Sequence, residues 1–365
     1  MNVATAMVLE DFGQPLRERQ FPLPKLSPGE VLVKTLASGV CGSDVHMWLG
    51  QDPRTPRPII LGHESCGEIV EVGGQKRSVD GEPLTPGRWI FWNRGVVCGA
   101  CYFCAVAQQP ALCPNRWVYG IHKSCKEPPH LRGGYADHIL LDARTDIFLL
   151  DRGKSPDPAV LVSASCSGAT AANAVELAPT NPGDVVLVQG PGPLGVFLVA
   201  FARQRGAREV IVIGGTDERL RICERFGGTV LLNRRTLSAS ERKAKVLDFT
   251  AGRGVDVAYE AVGTADAVEE GVGLIRSGGR YALVGFGQPG GKATLDCYSD
   301  IVRKNLQLQG VWVSHTRHTH QALSLVLNNL ALFATLVTHR FPLLAATAAL
   351  QAMHSKQALK AVLLG

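Results

Sequence analysis

The stretch Val185-Val-Leu-Val-Gln-Gly-Pro-Gly-Pro-Leu-Gly195 joins a run of apolar, mostly β-branched residues to a glycine-rich turn. Gly190, Gly192 and Gly195 match the spacing G-x-G-x-x-G, and a helical pattern follows. The first glycine permits a tight turn, the second lets the backbone approach a pyrophosphate, and the third lets the helix pack on the strand. The free N–H groups near Leu194, at the start of the helix, favour an anion. The motif therefore predicts a strand–turn–helix unit that binds a dinucleotide.

Further apolar runs follow this unit, with helical patterns between them. They are Val210–Ile213, Val255–Tyr259 and Tyr281–Val284. Strand–helix alternation of this kind predicts an α/β fold with a doubly wound parallel sheet, a Rossmann domain, over residues 165–312.

The rest of the chain has a different pattern. Residues 1–164 are rich in Gly, Pro and short β-branched runs, which predicts a mostly β domain. Residues 313–365 carry a helix-like stretch, Gln321–Leu336, and a short strand, Ala361–Leu364, and we assign them to the first domain.

The composition excludes several classes of protein. With 365 residues, 45% hydrophobic and 19% charged, the chain is long enough for about two domains and too apolar for intrinsic disorder. Ten Cys are too few for a small disulfide scaffold. The net charge of +6 favours an anionic cofactor or substrate but does not indicate nucleic-acid binding. The sequence predicts no membrane span and no signal peptide, so we expect a cytoplasmic protein with reduced thiols.

The sequence does not decide which residues bind the adenosine end of the cofactor. The second strand ends at Gly214, where many NAD-binding domains have an acidic residue for the ribose hydroxyls. Asp217 could bind the ribose instead. Candidates for contacting a 2′-phosphate are Thr216, Arg219 and Arg221. NAD and NADP both remain possible cofactors at this point.

Four cysteines lie within 16 residues of each other: Cys98, Cys101, Cys104 and Cys113. Thiolates at this spacing suit a closed, tetrahedral structural zinc site. Four unligated cysteines and a nucleic-acid-binding zinc ribbon are the alternatives. The residues between the first three cysteines include no basic side chain, which argues against the ribbon.

A second set of metal-binding residue types is dispersed along the chain. Cys41, His63 and Cys166 would form a three-ligand zinc site with an open position for an oxygen ligand. Spacing alone does not bring them together, and each taken singly also fits a buried structural residue.

Several motifs, in order, resemble one family. They are the Cys41-Gly-Ser-Asp44 box, the signature from Gly62-His-Glu to Gly73, the four-cysteine lobe, Cys166 within Ser165–Thr170, and the dinucleotide loop. Over nearly its whole length the chain resembles the zinc-dependent alcohol dehydrogenases of the medium-chain dehydrogenase/reductase superfamily. The resemblance implies a GroES-like catalytic domain (1–164 and 313–365, with the structural zinc lobe at about 94–115) beside the Rossmann domain.

The resemblance also implies roles for individual residues. The implied ligands of the catalytic zinc are Cys41, His63 and Cys166, with Glu64 able to join them. Asp44 would orient His63, Ser43 would bond the substrate oxygen, and His46 would end a proton relay. Thr170 and Lys360 would lie near the cofactor, Lys360 at its pyrophosphate, and Cys98, Cys101, Cys104 and Cys113 would hold the structural zinc.

The implied activity is hydride transfer between an alcohol and NAD or NADP, with two zinc ions per chain and a dimer or tetramer as the assembly. The alternatives are a zinc-free reductase of the same fold and a non-catalytic, zinc-stabilised nucleotide-binding protein. The intact ligand and relay residues argue against both. The sequence does not identify the alcohol or the preferred direction. His315, His318 and His320 look like a metal cluster, but we interpret them as a solvated loop.

Overall fold

The computed structural model describes residues 3–154 and 157–365. Two compact units make up this part of the chain. The first contains the described residues up to Ala169 together with Ser314–Gly365, and the second contains Thr170–Val313.

The strands are, in chain order, β1 (Val3–Leu9), β2 (Arg17–Pro22), β3 (Val31–Val40), β4 (Ile59–Ile60), β5 (Ser65–Val72), β6 (Trp89–Trp92), β7 (Gly95–Val96), β8 (Trp117–Val118), β9 (His138–Leu141), β10 (Ile147–Leu149), β11 (Val185–Gln189), β12 (Glu209–Gly214), β13 (Val230–Asn233), β14 (Val255–Glu260), β15 (Ile275–Leu283), β16 (Gln307–Gly310), β17 (His339–Pro342) and β18 (Ala361–Leu364). The α-helices are α1 (Gly42–Trp48), α2 (Pro158–Leu161), α3 (Ser167–Leu177), α4 (Pro193–Gln204), α5 (Asp217–Arg225), α6 (Ala239–Phe249), α7 (Ala265–Leu274), α8 (Thr316–Leu327), α9 (Leu330–Ala334) and α10 (Ala346–His354).

The first unit is mostly β. Its main sheet has the order β10-β6-β5-β3-β18-β17, with β9 pairing to β3, and a smaller sheet has the order β2-β1-β4. The long strand β3 pairs with both β5 and β18, so the segment after Val40 and the start of β18 at Ala361 lie side by side. This pairing brings the C-terminal strand to the segment that begins at Cys41.

The second unit is a parallel sheet of order β13-β12-β11-β14-β15-β16. All five residues of β11 are buried, as expected for a strand covered on both faces. The predicted α/β fold, a Rossmann-type parallel sheet with a GroES-like β domain, is confirmed.

The segment after residue 313 differs from prediction in two details. The single helix expected over Gln321–Leu336 is two helices, α8 and α9, and Asn328 ends the first of them. The prediction that His315, His318 and His320 form a solvated loop is wrong. His315 caps α8, His318 lies inside the helix with 1% of its surface exposed, and desolvation lowers the pKa of His318 to about 4. Its ring packs against His315 in the first turn.

In the described part of the chain, no helix combines the length and the apolar composition that a membrane crossing requires.

Candidate active site

One ligand atom from each of Cys41, His63, Glu64 and Cys166 lies within 4.8 Å of the corresponding atoms of the other three. Three connecting segments of the first unit supply these four residues. Cys41 links β3 to α1, His63 and Glu64 directly precede β5, and Cys166 directly precedes α3. Two thiols, an imidazole and a carboxylate form a donor set that suits zinc.

His63 is oriented by Asp44. Its Nδ1 lies 3.1 Å from Oδ1 of Asp44, and both side chains are fully buried. Burial opposes the imidazolium, but Asp44 outweighs it and raises the pKa of His63 to about 10. The other ring nitrogen, Nε2, is buried with no hydrogen-bond partner. A buried nitrogen without a partner is costly, and a metal ion at the cluster would satisfy it.

Asp44 lies in the first turn of α1 and is itself held by two donors. The N–H of Cys41 donates to its Oδ2 at 2.8 Å, and the hydroxyl of Tyr135 donates to the same oxygen at 3.3 Å. Burial raises the pKa of the Asp44 carboxyl, but His63, the N–H of Cys41 and the charge of Lys360 together hold it below its ordinary value. Tyr135 has no signal in the sequence, because only the fold brings it to α1.

The two cysteines of the cluster share a hydrogen bond, with 3.9 Å between their sulfur atoms. This bond raises the pKa of Cys41 and lowers that of Cys166. The positive charge of Arg94 also contributes to the lowered pKa of Cys166. The pair therefore carries one negative charge readily, which favours a cation at the cluster.

Glu64 forms an ion pair with Lys360 through Oε2, while its Oε1 is buried without a hydrogen-bond partner. Lys360 Nζ also donates to the carbonyl of Val40 at 3.3 Å and is 1% exposed. Glu64 thus keeps one oxygen available beside the thiols. The structure directs the charge of Lys360 to Glu64, and a contact of Lys360 with a pyrophosphate stays a prediction.

Ser43 and His46 occupy α1, three residues apart, which places them on one face of the helix. Both are partly exposed. Nδ1 of His46 lies 2.8 Å from Oε1 of Gln51. Gln51 thus engages Nδ1 of the His46 ring, and the relay role of His46 stays a prediction.

The four clustered cysteines come together in the first unit. The sulfur atoms of Cys98, Cys101, Cys104 and Cys113 lie within 4.8 Å of one another. The backbone N–H groups of Ala100 and Cys101 lower the pKa of the Cys98 thiol to about 6, while desolvation raises that of Cys104 to about 12. Four thiol sulfurs, with one already favouring the thiolate, fit a closed zinc site.

The dinucleotide loop of the second unit has the geometry that its glycines require. Gly190 has a φ of 104°, which favours glycine. A Cβ on Gly195 would lie 1.8 Å from the carbonyl oxygen of Gly190, so only glycine permits α4 to pack this closely on the loop. Gly192 is the N-cap residue of α4 and has open space beside it. The helix N-terminus is therefore accessible to an anion.

Two arginines that the sequence reasoning missed lie beside Gly215, where the sequence predicts the adenosine end of the cofactor. A Cβ built on Gly215 would be 3.5 Å from Nε of Arg234 and 3.9 Å from Nε of Arg235. Both follow β13, whose carboxyl end adjoins that of β12 at Gly214. That adjacency was the available signal, because the ends of neighbouring parallel strands share one edge of the sheet.

The other candidates for the adenosine end are less well placed. Asp217 accepts a hydrogen bond from Asn233 at 2.7 Å, which engages its carboxylate. Thr216 caps α5, and desolvation lowers the pKa of the half-buried Arg219. Thr170 is buried in α3.

The chain matches two family models and several known proteins. Residues 27–151 match the alcohol dehydrogenase GroES-like domain, and residues 193–328 match the zinc-binding dehydrogenase domain. An L-threonine 3-dehydrogenase of Pyrococcus horikoshii is 31% identical over 87% of this chain and 86% of its own. A 5-exo-hydroxycamphor dehydrogenase of Pseudomonas putida is 29% identical over 94% of both chains.

Solved structures agree with these matches. An alcohol dehydrogenase of Thermotoga maritima is 47% identical, with a TM-score of 0.96 over 100% of both chains. A zinc-binding dehydrogenase of Sinorhizobium meliloti, bound to NADP, is 26% identical, with a TM-score of 0.86 over 100% of both chains. The chain therefore belongs to the zinc-binding alcohol dehydrogenases of the medium-chain dehydrogenase/reductase superfamily and is a zinc-dependent, NAD(P)-dependent oxidoreductase.

Proposed function

We propose that the chain oxidises an alcohol, or reduces the matching carbonyl compound, at a zinc ion held by Cys41, His63 and Cys166. The observation that carries the proposal is the convergence of these ligand atoms, with Glu64, within 4.8 Å around the partnerless Nε2 of His63. Three ligands leave zinc a position for the substrate oxygen, which a purely structural site does not need.

The chain's own residues orient the metal ligands and move a proton, and they do not take part in the redox step itself. Bound zinc supplies Lewis-acid polarisation of the substrate oxygen, and bound nicotinamide supplies or accepts the hydride. Asp44 keeps Nδ1 of His63 protonated and turns Nε2 towards the cluster. Ser43 would accept the proton of the substrate hydroxyl as it gives up its own, and His46, partly exposed on the same helix face, would release a proton to water.

Glu64 acts as a movable neighbour of the cluster in this proposal. Its Oε1 is ready to approach a cation, while Oε2 stays with Lys360. The ion pair with Lys360 keeps the carboxylate's charge balanced inside the buried unit, since an uncompensated charge there is costly.

We propose a second zinc ion at Cys98, Cys101, Cys104 and Cys113. These residues surround a lobe with few buried apolar side chains, for example the one-turn segment Tyr102–Val106, in which no residue is buried. A lobe of this kind depends on a metal for its folding energy.

NADP(H) is the proposed cofactor. The guanidinium groups of Arg234 and Arg235 lie over Gly215, where no acidic side chain repels a 2′-phosphate. Asp217, the nearest carboxylate in sequence, is engaged by Asn233. Arginine next to the end of the second strand is how such domains accommodate the 2′-phosphate.

A homodimer or homotetramer in a reducing, cytoplasmic compartment completes the proposal. The edge strand β16 carries the exposed Leu308, and Trp312 follows it at 46% exposure. A second copy on this edge would cover both the apolar side chains and the unpaired backbone groups. The proposed ligand cysteines bind zinc only as reduced thiols. Light scattering on the purified protein measures the oligomeric state.

Metal content and turnover together test the function. The purified protein should contain two zinc ions per chain and change its absorbance at 340 nm with an alcohol and NADP. Cys166→Ser should lose one zinc and turnover together, Cys101→Ser should lose the other zinc and stability, and the exposed Cys297→Ser should change neither. Full turnover in Cys166→Ser would overturn the proposed metal site.

A further inference from the structure

Glu260 is a fully buried residue at the carboxyl end of β14, in the second unit. Its Oε1 accepts the backbone N–H groups of Val262 and Gly263, each at 2.6 Å, and its Oε2 accepts the N–H of Gly285 at 3.2 Å. Val262 and Gly263 follow β14, and Gly285 follows β15. One side chain therefore joins the two loops that leave these neighbouring parallel strands.

The three partners of Glu260 are all donors, which suits a carboxylate. A buried carboxylate is costly unless hydrogen bonds replace the water that it loses. Burial raises the pKa of the Glu260 carboxyl, and the three N–H groups oppose this shift. A carboxylate accepts with both of its oxygens, whereas an amide in its place has one oxygen and would turn an NH₂ group towards an N–H donor. The charge of Glu260 is thus spent on holding the backbone of the two loops.

The two loops also pack backbone against backbone. A Cβ on Gly263 would lie 2.5 Å from the carbonyl oxygen of Gly285, and a Cβ on Gly285 would lie 2.7 Å from the nitrogen of Val262. Gly263 has a φ of 82°, which favours glycine. Glycine at these two positions lets the loops approach closely enough for Glu260 to reach both.

The loop after β14 adjoins the dinucleotide loop. A Cβ on Gly190 would lie 2.8 Å from the carbonyl oxygen of Ala261, and the N–H of Ala261 donates to the carbonyl of Gln189 at 2.8 Å. β14 pairs with β11 on the side away from β12. A dinucleotide with its adenosine at Gly215 and its pyrophosphate at the start of α4 would therefore extend its nicotinamide half over the ends of β14 and β15.

We propose that Glu260 is a positioning residue for the nicotinamide half of the cofactor, because it holds the loops after β14 and β15 together at the edge where that half would bind. Glu260 lies below this edge and acts through the loops. Loops that are fixed before the cofactor arrives do not have to be ordered on binding, which favours affinity. This inference rests on the proposed binding of NADP(H) by the second unit.

Glu260→Gln tests this role with little change in shape. The amide keeps one acceptor oxygen, so one of the two loops loses its hydrogen bond and meets a donor instead. The affinity for NADPH should fall about 10-fold, while the affinity for 2′,5′-ADP, which lacks the nicotinamide half, should change less than about 2-fold. Nicotinamide fluorescence measures the first affinity and titration calorimetry the second, both without turnover.

Asp256→Asn is the matched control, because Asp256 lies near the opposite end of the same strand. Its Oδ2 accepts the N–H of Val185 at 2.7 Å, and its Oδ1 accepts from Nε of Arg276 at 2.5 Å. This change should lower the stability and leave both affinities as in the wild type, since Asp256 joins the amino ends of the strands. A purely structural role for Glu260 would give the same result in Glu260→Gln.

The outcomes separate the role of Glu260 from the proposed cofactor. An unchanged NADPH affinity in Glu260→Gln would overturn the positioning role, and so would an equal loss of affinity for NADPH and 2′,5′-ADP. A wild type that binds neither ligand would overturn the proposed cofactor instead.

Hydrogen exchange of the wild type decides the question should Glu260→Gln fail to fold. Saturating NADPH should slow the exchange of the N–H groups of Val262, Gly263 and Gly285, because a bound nicotinamide would suppress opening of the loops that Glu260 holds. Saturating 2′,5′-ADP should leave these rates unchanged. Equal rates with the two ligands would overturn the proposal.

Discussion

The ammonium of Lys360 forms an ion pair with Oε2 of Glu64 inside the first unit, although 296 residues separate them in the chain. Neither side chain is more than 1% exposed. The pairing of β18 with β3 creates this contact, since it aligns Ala361 with Val40. The residue directly before the C-terminal strand thus contributes a charge to the residues around the proposed metal site.

Removing one member of this pair should destabilise the protein strongly. Lys360→Met should lower the free energy of unfolding by about 3–5 kcal/mol, because it leaves Glu64 charged and buried without its partner. The double variant Glu64→Gln/Lys360→Met should lose less than the sum of the two single losses. Urea unfolding measures the free energy of unfolding of Lys360→Met, Glu64→Gln and the double variant.

The control for this series is Lys34→Met, which removes an exposed lysine of β3, the strand that pairs with β18. It should change the free energy of unfolding by no more than about 0.5 kcal/mol. Additive losses in the double variant would show that Glu64 and Lys360 are not coupled.

Asp44→Asn should weaken zinc binding about 10- to 100-fold, because Asp44 orients the imidazole of His63 and raises its basicity. Competition against a chelator measures the affinity, and turnover should recover when zinc is added in excess. Asp11→Asn is the matched control, since Asp11 is 71% exposed. An unchanged zinc affinity in Asp44→Asn would show that Asp44 does not contribute to zinc binding.

Zinc affinity of the metal-free protein should rise steeply with pH. The pKa of His63 is raised to about 10 and that of Cys41 is raised as well, so both groups hold protons at neutral pH and must release them to bind the ion. Two displaced protons predict an increase of about 100-fold in affinity per pH unit between pH 6 and 8. Chelator competition at several pH values checks this, and a pH-independent affinity would contradict it.

The same shift has a consequence for stability. A raised pKa in the folded state means that protonated His63 stabilises the metal-free protein fully below about pH 6.5, the usual pKa of unfolded histidine. This contribution should be lost as the pH rises towards 10. Urea unfolding of the metal-free wild type, compared with metal-free Asp44→Asn, should show the difference between them shrinking over that interval.

Arg234→Ser and Arg235→Ser should each lower the ratio of NADPH affinity to NADH affinity about 10-fold or more, because each removes a charge-assisted contact to the 2′-phosphate. Nicotinamide fluorescence titrations measure both affinities without any turnover. Arg208→Ser, an exposed arginine of the same unit, is the control and should leave the ratio unchanged. A wild type that binds NADH as tightly as NADPH would refute the assignment.

Much of the second unit was predictable because its signals are local. The glycines of the loop after β11 act within six residues, and their spacing alone indicated the turn that the structure has. The ends of α8 and α9 were less predictable, since the apolar pattern continues across Asn328 although the helix does not. The burial of His318 had no local signal at all, because it depends on what packs against α8.

By itself the sequence determined the α/β class, the dinucleotide loop and the four-cysteine cluster, since each depends on residues within a few turns of chain. The tertiary structure decided which distant groups meet: Cys41 with Cys166, 125 residues apart, and Glu64 with Lys360. No spacing encodes these contacts. They follow from strand pairing and from burial, which make an unsatisfied nitrogen or a buried ion pair significant only once water is excluded from them.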